Sequence, residues 1–236
     1  MKRSEINQLI REAKSFMQEH QFALPAFAHW SPQDWAGKGP ECSEIVAAQL
    51  GWDITDFGSD NFSRRGLLLF TIRNGMPGES QSLSKSYAEK IMVVRSRQET
   101  PTHFHFHKME DIINRAGGAL VIQLWNASDS DGLADTDVHV SVDGVIKRLV
   151  AGGKLTLQAG ESITLPPRLY HSFWAENGMT LVGEVSRVND DHTDNRFHQP
   201  MPRFPAIDED EPPLHLLSSD YPRYYRPNPS IAKSGS

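Results

Sequence analysis

The sequence predicts an all-β sandwich or barrel, with α-helices on its N-terminal side and a Pro-rich segment following it. Three observations carry this prediction. From Arg65 to Val185 the chain reads as short stretches of strand length, many of them apolar or β-branched. The pairs Asn74-Gly75, Asp143-Gly144, Gly152-Gly153 and Asn177-Gly178 punctuate those stretches as hairpin turns. Eight of the fifteen prolines fall between Pro200 and Pro229, where regular sheet cannot persist.

Composition narrows the class. The 236 residues are enough for one large domain or two small ones. A net charge of −6 without a basic block argues against a nucleic-acid footprint. The single cysteine, Cys42, cannot form an internal disulfide, so nothing points to an oxidising compartment. The basic start Met-Lys-Arg has no apolar region behind it, and no run approaches the ~18 apolar residues of a membrane span. The expectation is a soluble, cytoplasmic protein.

Taken in order, the first element is an amphipathic helix over residues 4 to 20. Ser4 is its expected N-cap, and Ile6, Leu9, Ile10, Ala13, Phe16 and Met17 recur at helical spacing. Its apolar face packs on the core or on a second copy of the chain. Ser31-Pro32 opens a short helix through Trp35, and Glu41 to Leu50 forms another, ended by Gly51. Asp53, Thr55 and Asp56 read as a turn with side-chain caps.

The strands expected next are Arg65 to Arg73, Tyr87 to Arg95, His103 to His107, Ala119 to Trp125 and Val138 to Val142. Leu155 to Leu157, Ser162 to Leu165, His171 to Ala175 and Met179 to Val185 complete the set. Beyond Val188 the chain is either a disordered tail or an arm wrapped on the fold and anchored by Phe204, Leu214, Leu216, Leu217, Tyr221, Tyr224 and Tyr225. Wrapping is the expectation, with only Ile231 to Ser236 loose. The organisation expected is an N-terminal extension (1–62), a barrel (63–190) and a C-terminal arm (191–236) in one folded unit.

Chemistry concentrates in Pro101-Thr-His-Phe-His-Phe-His-Lys-Met-Glu110. On a strand His103, His105 and His107 share one face, and Glu110 follows closely. Imidazoles and a carboxylate so crowded suit a first-row divalent metal. Downstream, Gly160-Glu-Ser-Ile-Thr-Leu-Pro166-Pro-Arg-Leu-Tyr-His171 offers a further imidazole.

These two segments resemble the two motifs of the cupin superfamily, whose small jelly-roll β-barrels bind a metal. His103-x-His105, Glu110 and Gly117 match the first motif, and Gly160, Pro166 and His171 the second. Arg97 and Arg168 stand where the motifs have glycine, and Ala175 where they have asparagine. The resemblance implies His103, His105, Glu110 and His171 as ligands. It leaves His107 as a neighbour, or as a ligand under the rival set His105, His107 and Glu110. Three imidazoles and a carboxylate on a six-coordinate ion leave two adjacent positions open, which suits Mn²⁺ or Fe²⁺. Two open positions allow either chelation of two neighbouring sugar oxygens or O₂ chemistry.

Around these residues lie charges out of place for apolar strands. Glu184 and Lys90 interrupt apolar runs, Lys108 sits between His105 and Glu110, and Asp194 and Arg196 occupy a polar loop. The block Gly-Trp-Asp-Ile-Thr-Asp-Phe-Gly, Thr-His-Phe-His with Lys-Met-Glu, and Gly-Glu-Val-Ser-x-Val-Asn-Asp-Asp-x-Thr-Asp-Asn-Arg-Phe together resemble the D-lyxose ketol-isomerase family of cupins, over residues 1 to about 227. That resemblance implies a homodimeric, Mn²⁺-dependent isomerase of D-lyxose and D-xylulose, and of D-mannose and D-fructose. It implies Glu184 as acid/base, with Lys90, Lys108 and Asp194 near the substrate. Burial is expected to raise the Glu184 pKa, so that it shuttles the carbon proton while the metal stabilises an enediolate. A hydride shift is the competing mechanism. Lys90 or Lys108 is expected to steady the developing oxyanion, and Asp194 or Arg196 to hold hydroxyls further along the sugar. The rival functions are an Fe²⁺-dependent dioxygenase, a non-catalytic sugar-binding cupin and a sugar-phosphate isomerase using Arg168 and Arg196.

Overall fold

The computed structural model of the chain describes residues 1–76 and 84–227. Its first helix, α1 (Arg3–Glu19), buries all six residues of the apolar stripe, with Ile6 and Ile10 fully enclosed. Burying a large aliphatic or aromatic side chain is worth about 1.5–3 kcal/mol, so the stripe is what fixes this helix to the body. Ser4 is not the N-cap: Lys2 holds that position, without a side-chain bond. The cap comes instead from the acidic cluster of the C-terminal arm. Asp208 carbonyl accepts from Arg3 N–H (2.8 Å), and the Asp210 carboxylate accepts from both Ser4 N–H (2.9 Å) and Ser4 Oγ (2.7 Å). Carboxylates at a helix N-terminus satisfy its free N–H groups and complement its dipole.

The second helix, α2 (Pro32–Ala36), starts at Ser31-Pro32 as expected, with Ser31 and Asp34 bonded reciprocally as a capping box. The third, α3 (Ser43–Ala47), is shorter than the expected 41–50 helix. A 3₁₀ turn (Pro40–Cys42) precedes it, and Gln49 enters the left-handed region (φ 53°) and stops it before Leu50. The segment expected to be a turn at 53–56 is mostly a strand, β1 (Gly51–Thr55), because Trp52 and Ile54 need a buried face. Only its end turns, where Thr55 Oγ1 accepts from Phe57 N–H (2.9 Å) and Asp56 Oδ1 from Gly58 N–H (3.0 Å).

Ten more strands follow among the described residues: β2 (Leu67–Arg73), β3 (Tyr87–Val94), β4 (Thr100–His105), β5 (Glu110–Asn126), β6 (Val138–Val142), β7 (Val145–Leu149), β8 (Lys154–Leu157), β9 (Ser162–Leu165), β10 (Leu169–Arg187) and β11 (Asn195–Phe197). They pair in the order β1-β2-β3-β10-β5-β9-β6-β7, with β4 and β8 joining β10 and β5, and β11 joining β4. The sheet curls as an antiparallel barrel without closing. The all-β expectation holds, with three corrections. The stretches His171 to Ala175 and Met179 to Val185 are one strand, β10, bent where Asn177 and Gly178 take positive φ. Ala119 to Trp125 is the second half of β5, and the bend between its halves lies at Gly117. There φ is +88° and a Cβ would meet Met179 O at 2.3 Å, so only glycine fits. Asn74-Gly75 is not a two-residue turn between the antiparallel pair β2 and β3, since β3 starts only at Tyr87; buried Asn74 donates to Asn189 O (3.0 Å) and accepts from Asn189 N–H (2.9 Å).

Side chains alternate between two cores. In β2 and β3, Leu68, Phe70, Ile91 and Val93 pack on α1, while Leu69, Met92 and Val94 face the barrel interior with Ile112, Leu120, Ile122 and Val182. Strands covered on both faces read as unbroken apolar runs. The arm wraps as expected. Leu216, Tyr221 and Tyr225 pack on Trp35 and Cys42, with Tyr221 Oη donating to Leu50 O (2.6 Å) and Tyr225 Oη to Gly39 O (2.8 Å). Residues 231–236 lie outside the described ones. Among the described residues no helix is long and apolar enough to cross a membrane.

Candidate metal centre and substrate pocket

Period-two alternation puts His103 and His105 on one face of β4, and register sets His171 of β10 directly opposite His103. A ring nitrogen from each of the three lies within 4.8 Å of the others. Glu110 opens β5 beside them, its carboxylate 3.2 Å from His171 Nε2 and 3.5 Å from His105 Nε2. His103 Nδ1 is 2.8 Å from Pro101 O and His171 Nδ1 is 3.0 Å from Leu169 O. A carbonyl only accepts, so each Nδ1 carries the proton and each Nε2 is left with a lone pair for a cation. His105 Nδ1 is buried without a hydrogen-bond partner. His107 lies beyond the strand end and is exposed, so the rival set that used it does not assemble.

Two backbone details explain why the motif survives its departures. Arg97 and Arg168, standing where glycine is expected, both take left-handed φ (59° and 64°). The turns keep their glycine-like shape, a conformation uncommon for other residues. Arg168 is held there by Asp131 (2.8 Å) and by donating to Ser128 O (3.0 Å).

A lattice of buried charge adjoins the histidines. Glu184 of β10 pairs in register with Lys90 on β3 and with Ile112 on β5, two residues along from Glu110. Register therefore brings Glu110, Glu184 and Lys90 to one barrel face. Lys108 Nζ sits 2.7 Å from Glu110 Oε2 and 2.8 Å from Glu184 Oε1, and Lys90 Nζ is 3.3 Å from the same Glu184 oxygen. Asn189 Oδ1 accepts from both lysines, at 2.6 Å from Lys90 and 3.2 Å from Lys108. Burial alone would raise the Glu184 pKa, as expected from sequence, but Lys108 and Lys90 outweigh it and hold the carboxyl below its usual range. That expectation is therefore corrected. Burial opposes the Lys108 charge too, and Glu110 with Glu184 override it, keeping the ammonium charged. Burial and the neighbouring imidazoles press His103 well below the usual histidine value, and burial with Lys108 lowers His105. Neutral imidazoles are the metal-binding form.

All of these groups except Asn189, which lies behind the two lysines, line one cavity with about 470 Å³ of free space, counting its open side. Asp194 and Arg196 do not border it. Asp194 accepts from His107 N–H (2.8 Å) and Lys108 N–H (3.0 Å), so it shapes the turn that presents Lys108. Arg196 is exposed, opposite Phe104. Sequence reasoning missed Asp191, Asn195, Phe197 and Arg203, which complete the wall together with Phe57. Asp191 and Asn195 lay in the polar block already singled out. Arg203 carried no local signal, because the arm brings it in from a Pro-rich stretch.

The three convergent imidazoles suit a divalent metal, two of them with the Nδ1 proton fixed by a carbonyl, and the Glu110 carboxylate lies beside them. Among the described residues the cations that line the cavity, Lys90, Lys108 and Arg203, are each paired with carboxylates, while Arg168 is engaged by Asp131 and Arg196 lies outside it.

Comparison with known proteins identifies the family and the fold. A model of the family described as D-lyxose isomerase matches residues 1–221. A D-lyxose/D-mannose isomerase of Serratia proteamaculans is 51% identical over 227 residues, covering 95% of this chain and 99% of that protein. Its counterpart in Escherichia coli O157:H7 is 49% identical over 227 residues, covering 95% and 100%. Among solved structures, a mutant L-ribose isomerase of Acinetobacter sp. DL28 in complex with L-ribose superposes with a TM-score of 0.59 at 15% identity, over 88% of this chain and 98% of that one. The ligand-free L-ribose isomerase of Cellulomonas parahominis gives 0.57 at 16% identity, over 88% and 98%. At those identities the structural likeness speaks for the fold, which is cupin-type.

Proposed function

The chain belongs to the D-lyxose isomerase family, and we propose that it is a metal-dependent aldose–ketose isomerase interconverting D-lyxose with D-xylulose and D-mannose with D-fructose. The observation that carries this reading is the bridge made by Lys108 between Glu110 of the donor cluster and Glu184. It couples a cation site to a second carboxylate held ready as a base.

Aldose–ketose isomerisation moves one proton between C1 and C2 and another between O1 and O2. We assign His103, His105, Glu110 and His171 to hold the ion, Mn²⁺ in this proposal, which supplies Lewis-acid stabilisation of negative charge on the substrate oxygens. Glu184, kept ionised by its two lysines, takes the proton from C2 of the aldose and returns it to C1 of the enediolate. Lys108 donates to the oxygen that gains charge while the carbon proton moves, and Lys90 with Asn189 keeps Glu184 in place. The apolar wall of Leu67, Leu69, Met92 and Phe173 keeps bulk water from the carbanion. Charged groups this dense favour sugar chemistry over the dioxygenase reading. The cellular setting proposed is cytoplasmic, and the assembly a homodimer.

The test is incubation of Mn²⁺-loaded protein with D-lyxose and with D-mannose, followed by chromatographic detection of ketose. Formation of D-xylulose and D-fructose supports the reading. Sugar binding without ketose would assign the site to a non-catalytic sugar-binding protein, and oxygen uptake to a dioxygenase.

A further inference from the structure

The donor cluster and Glu184 account for the reacting end of an open-chain sugar, but not for its remaining hydroxyls. Four buried side-chain polar atoms among the described residues have no hydrogen-bond partner: Thr100 Oγ1, His105 Nδ1, Asn114 Oδ1 and Arg203 Nη1. Three of the four residues, Thr100, His105 and Arg203, line the same cavity. Native proteins leave few buried polar atoms unsatisfied, so such a concentration marks where a bound molecule supplies the missing partner.

Arg203 is the informative one. Its side chain is about nine-tenths buried (10% exposed). Nη2 donates to Asp53 Oδ2 and lies 3.5 Å from Asp191 Oδ2, while Nη1 has nothing. The arm delivers it to a fixed place: Pro202 packs so closely on Gly58 that a Cβ there would lie 2.7 Å from Pro202 Cγ. Asp191 is fixed in turn, its Oδ1 accepting from Asn195 Nδ2 (3.3 Å). A guanidinium can only donate, so the missing partner is an oxygen. Asp53 and Asp191 already compensate the Arg203 charge, so the guanidinium offers a directed donor rather than a spare positive charge, which suits a neutral hydroxyl better than a phosphate dianion.

We propose that Arg203, oriented by Asp53 and Asp191, is a substrate-positioning residue that donates from Nη1 to a hydroxyl remote from the reacting carbons, and that this subsite selects unphosphorylated aldoses. The proposal rests on the isomerase reading for the identity of the sugar, but the subsite can be tested without turnover.

The probe is D-arabinitol, the neutral open-chain polyol of D-lyxose configuration, titrated calorimetrically into Mn²⁺-loaded wild-type protein, Arg203→Met and Arg203→Lys. A lost hydrogen bond from a charged donor corresponds to a Kd increase of roughly 10- to 100-fold in Arg203→Met. Arg203→Lys keeps the charge without the fork and falls between the two. The KM for D-lyxose rises in parallel, and kcat falls by less than KM rises. D-mannose 6-phosphate displaces the polyol less well than D-mannose does. Metal content and melting temperature are measured on each protein, and if Arg203→Met does not fold, the Lys variant carries the test. An unchanged Kd in a folded variant, no polyol binding by wild type, or tighter binding of the phosphate overturns the proposal. Polyol binding that depends on Arg203, with no ketose formed from D-lyxose, would instead overturn the isomerase reading and leave the subsite standing.

Discussion

Lys108 Nζ lies 2.8 Å from Glu184 Oε1, and both side chains are almost wholly buried. A lysine and a glutamate this deep in a barrel stay charged only because each compensates the other, with Glu110 and Lys90 completing the lattice. The pair thus links the groups proposed to hold the metal to the group proposed to move the proton.

Replacing Glu184 by Gln keeps the shape and removes the base. The expected result is a kcat lower by about 10²–10⁴, the usual worth of a positioned acid/base. Metal content should be unchanged, because Glu184 does not belong to the donor cluster. Steady-state assays alongside elemental analysis check this, and near-normal turnover by metal-loaded Glu184→Gln would remove Glu184 from the mechanism.

Lys108→Met strips buried Glu110 of its lysine and leaves Glu184 with Lys90 alone. In metal-stripped protein the loss should be about 3–5 kcal/mol, as for other buried ion pairs that lose one partner. A divalent ion at Glu110 restores positive charge there, so Mn²⁺ should raise the melting temperature of the variant more than that of the wild type. Equal shifts would show that the lysine and the ion do not share a carboxylate.

Arg3 joins the first turn of α1 to the arm, donating to Asp220 through Nη1 and Nη2 (both 2.9 Å) and to Glu209 through Nε and Nη2 (both 2.8 Å). The side chain is fully buried while Glu209 is partly exposed, so most of the energy lies with Asp220. Arg3→Met should cost about 3 kcal/mol in chemical denaturation. It should also speed proteolysis within the arm, which follows from the arm's bonds to the α1 N-terminus. An intact arm in the variant would mean that Tyr221 and Tyr225 suffice to hold it.

Acid stability should report on Asp191. Burial would raise its pKa, but Lys90 and Arg203 hold it well below the usual aspartate range. A depressed carboxyl stabilises the fold fully above its unfolded value, about pH 4, and loses that contribution as pH falls toward the folded value. Urea midpoints should therefore hold from neutral pH to about pH 5 and then decline. In Arg203→Met one of the depressing cations is gone, the folded pKa rises, and the variant has less of this stability to lose below pH 4. A steeper acid loss in the variant than in the wild type would contradict the assignment.

The sequence made the centre legible because the site's spacing is local. His103 and His105 are two apart on one strand, Glu110 opens the next, and His171 follows the turn after Pro166. Register could not be read, yet Glu184 and Lys90 betrayed themselves as charges inside apolar runs, and pairing across β3 and β10 explains both. Asp194 was singled out for its charge, but its carboxylate serves two backbone N–H groups. Arg203 stayed hidden and Asp53 was read only as a turn cap, because nothing near either predicts that residues 150 positions apart in the chain come together. The same long return misled the reading of Ser4, whose acidic partner stands 206 residues away. Strands β5 and β10 were each underestimated, since the bends near Gly117 and Asn177-Gly178 look in sequence like ends. Strand β7 went unnoticed, being exposed along most of its length and without a buried stripe.

The central claim is that Glu184 carries a proton between C2 and C1 of an aldose held at the histidine–glutamate centre. Its most direct test is conversion of D-lyxose by Mn²⁺-loaded protein in D₂O, followed by NMR of the ketose. The account predicts D-xylulose carrying solvent deuterium at C1, with both formation and labelling lost in Glu184→Gln. Ketose that stays free of deuterium through repeated turnover to equilibrium would contradict it and point to a hydride shift.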